Sequence, residues 1–155
     1  MEWAEVISNP FLQNLPFKIE LNRFGKILMT PASNQHGRIQ GRMAANLINK
    51  LPEGEVITEC SIQTSEGVKV ADVVWASNEF IQTFAYETPY PKAPEICIEI
   101  VSPSNSKAEI TGNVELYLAK GAQEVWVIYE DGRITTYSHV GEIEQSALAP
   151  AAQNL

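Results

Sequence analysis

Cysteine is scarce in this 155-residue chain, which has only Cys60 and Cys97. The two are far apart and form no C-x-x-C pair, so neither a zinc site nor a disulfide framework is supported. Long apolar runs are also missing, which excludes a helix spanning a bilayer. The opening Met1-Glu2-Trp3-Ala4 has no basic segment leading into an apolar core. No secretory leader is therefore expected, and the reducing cytoplasm is the expected compartment. Charge is thin at 19%, and the net charge of -8 argues against broad, sequence-independent capture of nucleic acid or acidic membranes. There is no internal repeat. What is present is ordinary globular material, 45% hydrophobic. At this length it predicts a single domain with one core over residues 1–141, followed by a poorly ordered tail over 142–155.

Along the chain, residues 17–21 and 26–30 flank Asn22-Arg23-Phe24-Gly25 and read as a hairpin. Ser33 or Asn34 caps a helix running to Lys50, in which Ile39, Met43 and Leu47 recur every four residues. Residues 55–64 and 68–75 form a second hairpin. Residues 77–93, with Phe80, Phe84, Tyr86 and Tyr90, read as an aromatic surface loop suited to stacking bases or to packing against a partner or the core. The run Ile96–Val101 reads as a strand covered on both faces. A helix over 107–120 turns Ile110, Val114, Tyr117 and Leu118 to one side, with Gly121 past its end. Asp131-Gly132 then joins strands at 123–129 and 133–139. The order β-β-α-β-β-β-α-β-β predicts an α/β fold, a mixed sheet with helices on its faces.

Two of these apolar strands each carry one acid, Asp72 within VKVADVVW and Glu99 within EICIEIVSPSNSK. Alternation puts Asp72 on the face of Val70 and Val74, and Glu99 on the face of Cys97 and Val101. If the strands are neighbours, the carboxylates converge and repel unless a cation lies between them. Mg²⁺ or Mn²⁺ suits that place, because hard divalent ions take oxygen ligands. An acid pair held by arginine or backbone donors is the plainer alternative. Glu59 is a possible third acid near the pair. Arg38 and Arg42, one turn apart, are either phosphate contacts or a solvated helix face. Ser104-Asn105-Ser106-Lys107 matches S-x-x-K, but without partner motifs it carries no weight.

An acid on one strand, a second acid on the next and then a helix resembles the PD-(D/E)XK restriction-endonuclease-like folds. More narrowly, GKILMTPASNQH (25–36), VKVADVVW (68–75), PEICIEIVSPSNSK (94–107) and ELYLAKGAQEVWVI (115–128) resemble the Uma-two family of endonuclease-like proteins. The resemblance covers about residues 17 to 138. It implies a restriction-endonuclease-like mixed sheet flanked by helices. It also implies a nuclease site with Asp72 and Glu99 as Mg²⁺ or Mn²⁺ ligands, and His36 beside it with Gln40 one turn on. The implied substrate is nucleic acid, DNA in preference to RNA, and the implied assembly a homodimer, since cutting two strands needs two sites.

The chain departs from that pattern at three positions. Ala71 stands where the motif has proline. Val101 stands where the motif lysine falls, and Asn113 where relatives supply a lysine from the following helix. A lysine would offset charge developing on phosphate, and Lys107 is the expected substitute, ahead of Lys120. Without such a lysine, the alternative is a catalytically weakened binding or interaction module that keeps the fold.

Overall fold

Strands β1 (Phe17–Leu21) and β2 (Ile27–Pro31) form the expected hairpin in a computed structural model that describes residues 1–155. Helix α2 (Asn34–Lys50) starts at Ser33, whose Oγ accepts from the His36 amide at 3.1 Å and so satisfies one of the free N–H groups of the first turn. Its every-fourth-residue stripe, Ile39, Met43 and Leu47, is buried as the periodicity predicts. Strands β3 (Glu55–Thr64) and β4 (Gly67–Ala76) pair along their whole length. Strand β5 (Ile96–Ile100) is buried at every residue. It runs parallel to β6 (Glu124–Ile128), the crossover between them being α4 (Lys107–Ala119). β7 (Ile134–Ser138) and β8 (Gly141–Ile143) complete an eight-stranded mixed sheet in the order β2-β1-β4-β5-β6-β7-β8, with β3 on β4.

The sheet has two covered faces. On one, α4 lays Val114 and Tyr117 over Cys97, Val125 and Val127. On the other, α2 packs Met43 and Leu47 over Ile96, Ile98, Ile100 and Trp126. A short helix α1 (Trp3–Ser8) closes a smaller cluster with Leu21, Val68 and Val70.

Three expectations are corrected. Residues 77–93 are not a surface loop throughout. Ser77 caps a helix α3 (Asn78–Phe84), and Phe80 and Tyr90 are buried edge to face at 5.1 Å. Of the four aromatics considered for stacking bases, Tyr86 alone is fully exposed. The segment 142–155 is not loose. Ala149 and Ala152 are buried against the α2 face, and the backbone of Ala147 and Leu148 donates to the buried Glu124 carboxylate at 2.8 and 3.1 Å. Small residues and one distant acid hold this segment, so no hydrophobic period announces it. Finally, Val70 and Val74 do not share a face with Asp72 between them, because Ala71 and Val74 enter one cluster while Val70 and Val73 enter others. Alternation breaks at Asp72. Glu59, opposite this point on β3, has φ +53, and the ladder skips from Thr58↔Val73 to Cys60↔Ala71.

Candidate active site

A fork in the sheet creates the site. β3 occupies one edge of β4 throughout. The other edge is divided: β1 meets it at Leu21↔Val68, and β5 meets it from Val73↔Ile98 to Trp75↔Ile96. Between these contacts residues 69–72 have no strand on that edge. Gly67 permits the close approach of β1, since a Cβ there would lie 2.2 Å from the Leu21 carbonyl oxygen and its φ is +94. Carboxylates take over where the ladder stops. Glu20 Oε2 accepts from the Val70 amide at 2.7 Å, and Asp72 Oδ2 accepts from the Ile100 amide at 2.7 Å. Each replaces a missing backbone partner, as buried N–H groups require.

Three elements converge in the fork. Lys18 comes from β1, Asp72 from β4 and Glu99 from β5. Lys18 Nζ lies 3.2 Å from Asp72 Oδ1 and 3.2 Å from Glu99 Oε2. His36 Nε2, from the first turn of α2, is 3.1 Å from the same Asp72 oxygen. The Tyr117 hydroxyl, from α4 on the other face, donates to Glu99 Oε1 at 2.5 Å. Gln40 Nε2 spans Glu59 Oε1 at 2.7 Å and the Asp72 carbonyl at 2.8 Å. Glu99 therefore has one oxygen tied to α4 and the other turned toward the lysine. Asp72 has one oxygen tied to β5. Its Oδ1 is buried beside Lys18 Nζ and His36 Nε2, yet neither is aligned to hydrogen-bond it.

The electrostatics follow from that packing. Burial alone would drive the Lys18 ammonium toward neutrality, but Glu99 and Asp72 outweigh it and hold the group above its ordinary range. Burial raises Asp72, and Lys18 and His36 more than reverse this, leaving its carboxyl below the usual range. Glu99 goes the other way. Its burial exceeds what Lys18 returns, and the neighbouring Asp72 adds to the upward push, to about 7. The contact with Asp72 raises His36 despite its partial burial. Burial, reinforced by Glu99, keeps the Tyr117 hydroxyl protonated far above neutrality.

Asp72, Glu99 and His36 are thus brought together, with Gln40 and Glu59 at their margin. Lys107 is not. It sits exposed in the first turn of α4, outside the cleft and without an ion pair. Arg38 is exposed and bonds to Gln35, and Arg42 is exposed as well. Asn113 lines the cleft, as does Val101. The lysine sought two residues after Glu99, or on α4, arrives instead from Lys18, about eighty residues earlier in the chain. Glu20 and the Glu99-holding role of Tyr117 were likewise missed. The available signal was FKIEL itself, where Lys18 and Glu20 alternate with Phe17, Ile19 and Leu21. That pattern reads equally as a solvated strand face, and only the fork turns it inward.

The family model described as "Putative restriction endonuclease" (Uma2) matches residues 4–154. The crystal structure titled as a putative nuclease belonging to DUF820 from Anabaena variabilis ATCC 29413 is similar in fold, with a TM-score of 0.67 and 23% sequence identity. The match covers 77% of this chain and 71% of that one. No curated protein matches the chain.

Proposed function

We propose, from the premise that the chain belongs to the Uma2 family of restriction-endonuclease-like proteins, that it is a divalent-metal-dependent nuclease hydrolysing phosphodiester bonds. The observation that carries this reading is the single ammonium, Lys18, lying 3.2 Å from one oxygen of each buried carboxylate. Those two oxygens, one of them without an aligned donor, form a hard-oxygen pair facing one position. No group of three or more His, Cys, Asp or Glu side chains is arranged to hold a metal. Asp72 and Glu99 would then supply two ligands, leaving the remaining positions to water and phosphate, a sharing that suits Mg²⁺ or Mn²⁺. When bound, such an ion supplies charge stabilisation at phosphate and a more acidic attacking water.

The protein's own groups do the rest. Lys18, on its four-carbon stem, can move from the carboxylates to an equatorial phosphate oxygen and offset the charge that builds there. His36 Nε2, 3.1 Å from Asp72 Oδ1, stands where it can take or give a proton beside that carboxylate, which the Ile100 amide fixes by its other oxygen. Tyr117 keeps Glu99 from rotating, and Gln40 fixes the Asp72 backbone. The weakened-module reading rested on the missing lysine and on the acidic net charge; the position of Lys18 answers the first of these and favours the enzyme. By family analogy the substrate is DNA in preference to RNA and the protein acts as a homodimer.

The test is Mn²⁺ binding by calorimetry to wild type, Asp72→Asn, Glu99→Gln and Lys18→Met, followed by DNA cleavage with the same samples. Binding should be lost in the two carboxylate variants. Lys18→Met should bind the ion but cleave at least ~10²-fold more slowly. A wild type that binds no Mn²⁺ would sink the proposal.

A further inference from the structure

The cleft above the fork encloses about 970 Å³. That is the size of cavity that surrounds small ligands, roughly 300–1,000 Å³, room for a few nucleotides at most. Its floor is recessed, with Asp72 only 1% and Glu99 7% exposed. Its charged lining is six carboxylates against two lysines and one histidine. Any nucleic acid draws affinity from lysine and arginine on its phosphates, and with Lys18 and Lys69 the only such groups in the lining, what remains for recognition is contact with the bases.

What the cleft offers instead is apolar surface. Leu15, Phe17, Leu28 and Met29, from the β1–β2 hairpin and the segment before it, all line the cleft. They are 37%, 41%, 40% and 46% exposed respectively. Bases present an apolar face only when unpaired, and a ring such as Phe17 stacks on any of them. A strand entering here would set its bases against the hairpin and lower one phosphate to Lys18.

We infer that the cleft takes single-stranded nucleic acid, a few unpaired nucleotides held by their bases against the Phe17 wall, and excludes the interior of a duplex. This inference deepens the nuclease reading and rests on it for the identity of the site.

The experiment is fluorescence anisotropy with the full metal-free chain and short labelled probes: single-stranded DNA, RNA of the same sequence, and the corresponding DNA duplex. Cleavage of the same probes is then read after adding Mn²⁺. The single strands should bind at least ~10-fold tighter than the duplex, and Phe17→Ala should remove about that factor. Phe11→Ala, 86% exposed and outside the cleft, should bind as wild type does. The DNA and RNA arms decide which sugar is preferred. Single-strand binding without cleavage supports the inference while overturning the nuclease reading. Duplex bound or cut as well as single strand overturns the inference and leaves the nuclease reading standing. No binding and no cleavage of any probe overturns both.

Discussion

Tyr117 and Glu99 illustrate how a buried acid is held in a fixed direction. A hydroxyl at 2.5 Å satisfies one carboxylate oxygen, and its attachment to α4 fixes the direction of the other. Tyr117→Phe removes only that oxygen, so the helix and its packing stay while Glu99 becomes free to turn. Loss of such a supporting partner typically weakens metal binding about 10- to 100-fold. We expect Tyr117→Phe to lower Mn²⁺ affinity within that range, with secondary structure by circular dichroism unchanged. If the affinity is unaltered, Tyr117 only fills space. Lys18 is the complementary case, since its stem is long enough to serve the carboxylates in one state and phosphate in another.

Most elements were legible because their burial repeats with a period. The stripe in α2, the unbroken apolar run of β5 and the Asp131-Gly132 turn each state their structure locally. What stayed hidden depends on contacts between distant segments. The fork is not written in any one strand, and Lys18 becomes a site residue only because β1 and β5 compete for the same edge of β4. The 146–153 segment is hidden for the same reason. Glu124 accepts from Trp126 Nε1, Ser146 Oγ, and the Ala147 and Leu148 amides. A neutral amide in its place cannot accept at both ends, so a donor loses its partner in a buried setting. Glu124→Gln should cost roughly 1–3 kcal/mol in urea denaturation, and amide exchange across 146–153 should speed up more than in β5. Equal exchange in both segments would mean that this carboxylate does not latch the tail.

The whole molecule carries the consequence of having one acid pushed up beside one pushed down. Glu99 has a folded-state value of about 7 against an ordinary 4.5. Below the lower value it is protonated whether the chain is folded or not, and its contribution to stability is fully present. Between the two, the folded protein keeps a proton that the unfolded chain has released, and that contribution is lost as pH rises through the higher value. Asp72 has the opposite sign, its contribution disappearing only as pH falls through its lowered folded value. The two effects therefore fall in separate windows. Glu99→Gln fixes the neutral form, so metal-free wild type and variant should be similarly stable near pH ~4. Near pH ~8 the variant should be the more stable by about 1–3 kcal/mol. Urea titrations at both pH values measure this. Mn²⁺ added at the higher pH should reverse the order, because the ionised carboxylate is the ligand and binding to the folded chain alone raises its stability. A variant less stable than wild type near pH ~8 without metal would mean that Lys18 and Tyr117 already compensate the charge in full, and that Glu99 needs no second cation to remain in its strand.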